Sequence, residues 1–132
     1  MSTIGELFDL AKAVRARAYA PYSRFPVGAA LRTENGAVFS GCNVENAAYP
    51  LSLCAEASAI SAMIAGGEQR IAEILVLGPG PRKITPCGAC RQRIAEFASE
   101  GTLIHCADEQ GQVQSSLISE LLPDSFGPAS LA

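Results

Sequence analysis

Hydrophobic residues near the start of the chain recur at the spacing of an amphipathic helix. In residues 3 to 19 the apolar positions lie three or four residues apart, which places them on one helical face. Two prolines follow and predict a helix end and a short extended loop. The apolar stretches 27–33 and 37–44 are separated by a turn containing Asn35-Gly36, and this dipeptide is typical of a β-hairpin. The pattern predicts a helix followed by a hairpin.

Helical and extended patterns alternate along the rest of the chain. An Ala-rich, nearly uncharged segment at 53–67 predicts a central buried helix, and 71–79 is the strongest strand pattern. A second helix is predicted over 87–101, two short strands within 102–116, and a short helix over 117–123. This order of elements predicts an α/β fold, a three-layer α/β/α sandwich around a mixed five-stranded sheet.

Length and composition narrow the class of protein. A chain of 132 residues predicts one domain spanning 1–132. Its apolar content of 48% against 17% charged residues favours burial of surface between subunits. The first residues carry acidic side chains and do not resemble a secretory signal, so we expect a cytoplasmic protein with reduced cysteines. A net charge of −3 argues against a nucleic-acid polymer as partner, and no apolar run predicts a membrane span.

Three cysteines and one glutamate suggest the chemistry. Cys54 begins the tripeptide Cys-Ala-Glu, and 33 residues later Cys87 and Cys90 form a C-x-x-C pair. Both segments lie where a loop enters a predicted helix, and a helix N-terminus favours thiolates. Three thiolate ligands leave one tetrahedral zinc position open, as in catalytic sites. Glu56 is placed to move protons for whatever binds there. A redox C-x-x-C with an unrelated buried Cys54 is the alternative, which the third cysteine and Glu56 disfavour.

The segments around these residues resemble a known family. Residues 22–31, 41–56, 86–92 and 120–131 are similar to the homotetrameric zinc-dependent cytidine deaminases of pyrimidine salvage. The cysteine and glutamate spacing also matches the general signature of zinc nucleobase deaminases, with a cysteine in place of the histidine. The resemblance implies hydrolytic deamination of cytidine and 2′-deoxycytidine to uridine and 2′-deoxyuridine with release of ammonia. It also implies one Zn²⁺ per subunit, with Glu56 protonating N3 and then the departing amine.

The resemblance further implies which residues of the subunit contact the nucleoside. Phe25 would place its ring against the pyrimidine, and Asn43 and Glu45 would bind the ribose hydroxyls. Ala55, between the first zinc ligand and the acid, would also contact the substrate. Without the resemblance, Asn43 and Glu45 would be interpreted as turn caps and Phe25 as a core aromatic.

Three further residues are implied to act between subunits. In the family the segment containing Phe126 reaches into a neighbouring subunit's site, and Ala47 and Tyr49 map to positions near an adjacent site. From the sequence alone, Phe126 is only an apolar residue in a tail.

The chain departs from the family pattern at one position. Many members carry an arginine after Cys-Ala-Glu that donates hydrogen bonds to the zinc thiolates, whereas this chain has Ala57. Because three thiolates around Zn²⁺ leave a net charge of −1, the site needs another source of positive charge. We expect Arg91, directly after Cys90, and the helix N-termini to supply it. A surface salt bridge is the alternative role for Arg91.

Two other functions remain open at this point. One is a deaminase of another small cytosine nucleoside, of the antibiotic type. The other is a non-catalytic, zinc-stabilised oligomerisation module, which would need a fourth protein ligand. His105, the only histidine, lies in a predicted strand away from the motifs and is expected to be structural.

Overall fold

The computed structural model of the chain describes residues 3–132; Met1 and Ser2, part of the predicted domain, lie outside the described residues. The helices and strands follow the predicted order. They are α1 (Thr3–Arg15), β1 (Gly28–Thr33), β2 (Val38–Cys42), α2 (Ala55–Ala65), β3 (Ile71–Leu77), α3 (Gly88–Phe97), β4 (Ala98–Ala107), β5 (Val113–Leu117) and α4 (Ile118–Leu121). Short 3₁₀ turns occupy Tyr49–Leu51 and Pro128–Leu131, the latter in a tail expected to be irregular.

The five strands form one mixed sheet in the order β2-β1-β3-β4-β5. Only β3 and β4 are parallel, and the other neighbours are antiparallel. Helix α1 covers one face, where Leu7 and Ala11 pack against residues such as Leu75. Helices α2, α3 and α4 cover the other face, with Met63 and Ile94 in its core. The predicted three-layer α/β/α sandwich is confirmed.

Two glycines allow the helices to approach the sheet. A Cβ atom on Gly28 would lie 2.1 Å from the carbonyl oxygen of Ala11 in α1. A Cβ atom on Gly41 would lie 2.4 Å from the backbone nitrogen of Ala59 in α2. Both distances are far below van der Waals contact, so each position requires glycine. The contact at Gly41 fixes α2 against β2 and thereby positions the start of α2.

Two predicted helices end earlier than their periodicity suggests. Helix α1 ends at Arg15. The backbone groups of Tyr19 do not continue the helix, because they form hydrogen bonds with the backbone of Asn43 and Glu45, which follow β2. Helix α3 ends at Phe97, because Ala98 pairs with Ile71 at the beginning of β3. In both cases pairing with the sheet overrides a local helical preference.

His105 has the structural role expected for it. The side chain is 1% exposed, and its two ring nitrogens lie 2.9 Å from a Glu73 carboxylate oxygen and 2.7 Å from the Ser115 hydroxyl. These bonds join β3, β4 and β5 and satisfy a buried polar group.

Candidate active site

The three predicted zinc ligands come together at the starts of two helices. Cys54 is the N-cap of α2, Cys87 is the N-cap of α3, and Cys90 lies in the first turn of α3. Their sulfur atoms all lie within 4.8 Å of one another, and those of Cys54 and Cys87 are 3.9 Å apart. A tetrahedral zinc with Zn–S bonds of about 2.3 Å requires sulfur atoms ~3.8 Å apart. The thiols therefore fit three vertices of a tetrahedral metal and leave the fourth open.

The surroundings of the thiols favour a thiolate. Neither N-cap side chain bonds to its helix, so the first N–H groups of α2 and α3 remain available to stabilise negative charge. A hydrogen bond with Cys90 lowers the pKa of Cys54 to about 6, helped by a bond with Cys87 and the charge of Arg93 and opposed by burial of the thiol. The same bond with Cys54 raises the pKa of Cys90. The shared bond therefore favours the thiolate at Cys54 over the thiolate at Cys90.

Glu56 is buried beside the cysteines. It is the second residue of α2 and only 4% exposed, yet it lines the cleft that Cys54 and Cys87 also reach. Burial raises the pKa of Glu56 to about 7, and the charge of Cys54 adds to this effect. A carboxyl group with a pKa near neutrality can both accept and donate a proton, as the predicted role requires.

A cleft of about 660 Å³ opens over this cluster. It brings the four predicted substrate residues of the subunit together with the predicted acid and two of the cysteines, whereas Cys90 is fully buried. The residues lining the cleft are Ser23, Phe25, Val27, Asn43, Glu45, Ser52, Leu53, Cys54, Ala55, Glu56, Arg82, Lys83, Ile84, Thr85 and Cys87. Its size and its mixed polar and apolar lining suit a small organic molecule.

Asn43 supports the wall of the cleft through both ends of its amide. Its Nδ2 donates to the carbonyl oxygen of Phe25 at 2.9 Å, and its Oδ1 accepts from the backbone nitrogen of Val27 at 2.9 Å. These two bonds hold the loop that carries Phe25 next to β1. An amide group has four bonding positions, so one donor and one acceptor position remain for a ligand.

Glu45 is fixed by the same loop. Its Oε1 accepts from the backbone nitrogens of Tyr22 and Ser23 at 2.9 and 3.1 Å, and the Ser23 hydroxyl donates to Oε2. The hydroxyl bond, with the two backbone bonds, lowers the pKa of Glu45. The carboxylate is therefore held ionised, and since it accepts three bonds it keeps acceptor capacity for hydroxyl protons at the wall of the cleft.

Ala47, Tyr49 and Phe126 lie outside this cleft. Tyr49 is 69% exposed, and its ring packs against Tyr22 with centroids 5.8 Å apart. Phe126 is 60% exposed, and its carbonyl oxygen accepts from Gln92 Nε2. Within one subunit none of the three lines the cleft, so their predicted roles depend on a second chain.

The loop between β3 and α3 adds residues that the sequence reasoning missed. Arg82, Lys83, Ile84 and Thr85 line the cleft together with Phe25 and Asn43. Ser23 was also missed, although it orders both Glu45 and the backbone of Phe25. Ser23 could have been predicted as a site residue, because it lies two residues before Phe25 in the sequence. Nothing in the sequence of the 82–85 segment indicates that it forms a wall of the cleft.

The arginine next to the thiols is a different one from that predicted. Arg91 donates through Nε to the carbonyl oxygen of Pro86 and through Nη1 to that of Leu121, both at 2.9 Å. It thereby connects the turn before Cys87 to α4, and these two bonds go to backbone carbonyls rather than to a thiol. Arg93 instead donates through Nη1 to the sulfur of Cys90 at 3.5 Å. Successive helical residues point about 100° apart, whereas residues three apart share a face, which explains the difference.

Comparison with known proteins identifies the family. The model of the cytidine and deoxycytidylate deaminase zinc-binding region matches residues 1–106. This chain belongs to that family. A cytidine deaminase of Halalkalibacterium halodurans is 44% identical over 117 residues, covering 87% of this chain and 89% of the relative. One from Sporosarcina psychrophila is 36% identical over 129 residues, covering 98% and 95%.

The fold agrees with that of solved deaminases. A crystal structure of cytidine deaminase from Burkholderia pseudomallei has a TM-score of 0.89 and 45% sequence identity, with 96% of this chain and 100% of that chain covered. The family description and the cluster of Cys54, Cys87 and Cys90 together indicate a zinc-binding deaminase domain. No helix in residues 3–132 has the length and apolarity needed to cross a membrane.

Proposed function

We propose that this chain catalyses the hydrolytic deamination of cytidine and 2′-deoxycytidine to uridine and 2′-deoxyuridine, with release of ammonia, in pyrimidine salvage. One Zn²⁺ per subunit would be held by Cys54, Cys87 and Cys90, and the enzyme would act in the cytoplasm. The observation that carries the proposal is the buried Glu56 beside an open-sided cluster of three thiols, at the base of a nucleoside-sized cleft. The names and overall similarity of the relatives support the same substrate.

Cys54, Cys87 and Cys90 would hold the zinc, which would supply the Lewis acid needed to make water nucleophilic at neutral pH. Glu56 would accept a proton from the attacking water and pass it to N3 of the pyrimidine. It would then move the second proton of that water from the C4 hydroxyl group to the departing amine, so that N3–H and the C4 carbonyl remain and ammonia leaves. Its burial supports this role, because a pKa of about 7 balances both directions of proton transfer. Phe25 and Val27 form an apolar wall for the base, which limits access of bulk water to the reacting carbon.

Asn43 and Glu45 would recognise the ribose. Both residues line the cleft, and the loop bonds described above hold both side chains in place before substrate binds. A ligand site that is ordered in advance loses less conformational entropy on binding. We therefore assign to these residues the binding of the sugar hydroxyls rather than of the base.

A panel of substrates tests this assignment. We expect cytidine and 2′-deoxycytidine to be deaminated with kcat/KM at least ~100-fold above that of free cytosine, because free cytosine cannot make the sugar contacts with Asn43 and Glu45 that would hold the base in place for reaction. Turnover can be followed by the absorbance change on conversion of the cytosine ring to uracil. Free cytosine as the best substrate would contradict the ribose assignment, and a base-modified cytosine nucleoside as the best substrate would support the antibiotic type of deaminase.

A non-catalytic zinc module is the competing function. It would require a fourth protein ligand, and among residues 3–132 the cluster of candidate ligands around this point consists of Cys54, Cys87 and Cys90. A cleft over the open vertex and a buried carboxyl group beside it would have no use in such a module. Both features favour the enzyme.

We further propose that the active enzyme is a homotetramer in which Phe126, Ala47 and Tyr49 complete a neighbouring subunit's site. Phe126 and Tyr49 are large and highly exposed, and Leu51 and Leu53 near Tyr49 are also more than 40% exposed. Apolar side chains concentrated around a cleft are typical of surfaces covered by another chain.

Subunit mixing tests the intersubunit role of Phe126. We expect Phe126→Ala to lower kcat/KM for cytidine roughly tenfold, the scale of a lost apolar wall contact. Refolding an excess of Glu56→Gln chains with Phe126→Ala chains should restore activity, because hybrid sites then combine Glu56 and Phe126 from different chains. Light scattering after chromatography checks the tetramer. Absence of recovery in tetramers that contain both variants would place Phe126 outside the neighbouring site.

A further inference from the structure

The proposed metal centre carries a net negative charge. Three thiolates around Zn²⁺ carry a net charge of −1, and the buried carboxyl group of Glu56 lies beside them. The helix N-termini offset part of this charge. Ala57, the next residue of α2, offers neither charge nor hydrogen bond. A cation placed at the sulfur atoms would therefore have a large effect on the centre.

Arg93 is positioned to be that cation. It lies three residues after Cys90 on α3, so both side chains occupy the same face of the helix. Its Nη1 donates to the Cys90 sulfur at 3.5 Å, and this sulfur belongs to the fully buried member of the cluster. A hydrogen bond from a charged donor to an ionised sulfur is stronger than one between neutral groups.

The small side chain at position 57 leaves space on this side of the centre. Ala57 of α2 and Arg93 of α3 line the same surface depression, together with Leu53 and Gln92. The guanidinium group of Arg93, on α3, and position 57, on α2, therefore border the same depression between the two helices. A side chain on α2 at position 57 would approach the same thiols from the opposite helix.

We propose that Arg93 is a positioning residue of the metal centre, which neutralises the thiolate cluster by donating to the Cys90 sulfur. The inference rests on the proposed binding of zinc by the three thiols. The charge of Arg93 offsets the net −1 of the cluster and would thereby favour retention of the metal, while its bond to the Cys90 sulfur would leave the bound metal a stronger Lewis acid. Arg91, which braces the turn before Cys87 through backbone carbonyls, has a different role.

Metal affinity and a cobalt spectrum test the proposal without relying on turnover. Arg93→Ala is expected to weaken zinc binding roughly 10–100-fold in chelator competition, the range for loss of an outer-sphere partner. In the Co²⁺-substituted protein, the sulfur-to-cobalt charge-transfer band should move to lower energy, because the sulfur that loses its donor becomes richer in electrons. Arg93→Gln keeps a neutral donor and should give a smaller shift. Arg70→Ala removes an exposed arginine outside α2 and α3 and should leave both properties unchanged.

A double variant separates the charge from other effects of the substitution. Ala57→Arg combined with Arg93→Ala is expected to recover zinc affinity and band position, because the cation returns from the facing helix. A folded Arg93→Ala protein with wild-type zinc affinity and an unshifted band would overturn the proposal. Failure of the wild-type chain to bind zinc or cobalt would instead overturn the proposed metal site itself, so the two failures are distinguishable.

Discussion

Glu56→Gln is expected to lower kcat for cytidine roughly 10³-fold, about 4 kcal/mol of transition-state stabilisation. The substitution keeps the shape of the side chain but removes the group that accepts and returns the proton. Because Glu56 is 4% exposed, solvent has little access to substitute for it as a base. KM should change much less than kcat, since the carboxylate acts on the reacting atoms rather than on the sugar. Steady-state kinetics at saturating cytidine measure the effect.

The variant must retain its metal for this result to concern proton transfer. Zinc content measured by mass spectrometry should equal that of the wild type, because Glu56 is not one of the three thiol ligands. Glu100→Gln, which changes an exposed glutamate in β4, is a matched control and should keep full turnover. A zinc-loaded Glu56→Gln protein within about tenfold of wild-type kcat would contradict the assigned role, since general acid–base catalysis contributes at least ~10²-fold.

The layers of the fold could be predicted because each helix shows its buried face in its sequence. The uniformly apolar segment around Met63 predicts a central helix, and α2 packs directly on the sheet. The ends of α1 and α3 could not be predicted in the same way. They depend on pairing of Tyr19 and Ala98 with distant residues, and such contacts leave no local signal.

The centre of the site was predictable for a related reason. The metal ligands and Glu56 lie in the first turns of two helices, so sequence spacing nearly determines their geometry. The walls of the cleft come from loops whose course depends on the whole fold, as for Ser23 and the 82–85 segment. The roles of the two arginines follow from their positions around helix α3. Arg91, adjacent to Cys90 in the sequence, bonds to a carbonyl oxygen of α4, whereas Arg93 lies on the same face of the helix as Cys90 and bonds to its sulfur.

Cys87→Ser is expected to abolish zinc retention and to reduce turnover below about one thousandth of wild type, because the remaining pair of thiols cannot hold the metal against chelators. Serine is nearly isosteric with cysteine and is itself a favoured N-cap, so α3 should still begin at Gly88. Cys87 is exposed, and its replacement leaves the core unchanged. The variant therefore separates loss of metal from loss of fold.

Thermal and chemical unfolding make the separation quantitative. Free zinc at about a thousand times its dissociation constant stabilises a folded protein by ~4 kcal/mol, so the wild type should gain this free energy of unfolding with zinc and lose it with chelator. Cys87→Ser should be insensitive to both additions and should resemble the chelated wild type. Cys42→Ser, on β2 and outside the cluster, should behave as the wild type does. Wild-type zinc affinity in Cys87→Ser would show that Cys87 is not a zinc ligand. The proposed site of three thiol ligands and one open vertex beside Glu56 would then be wrong.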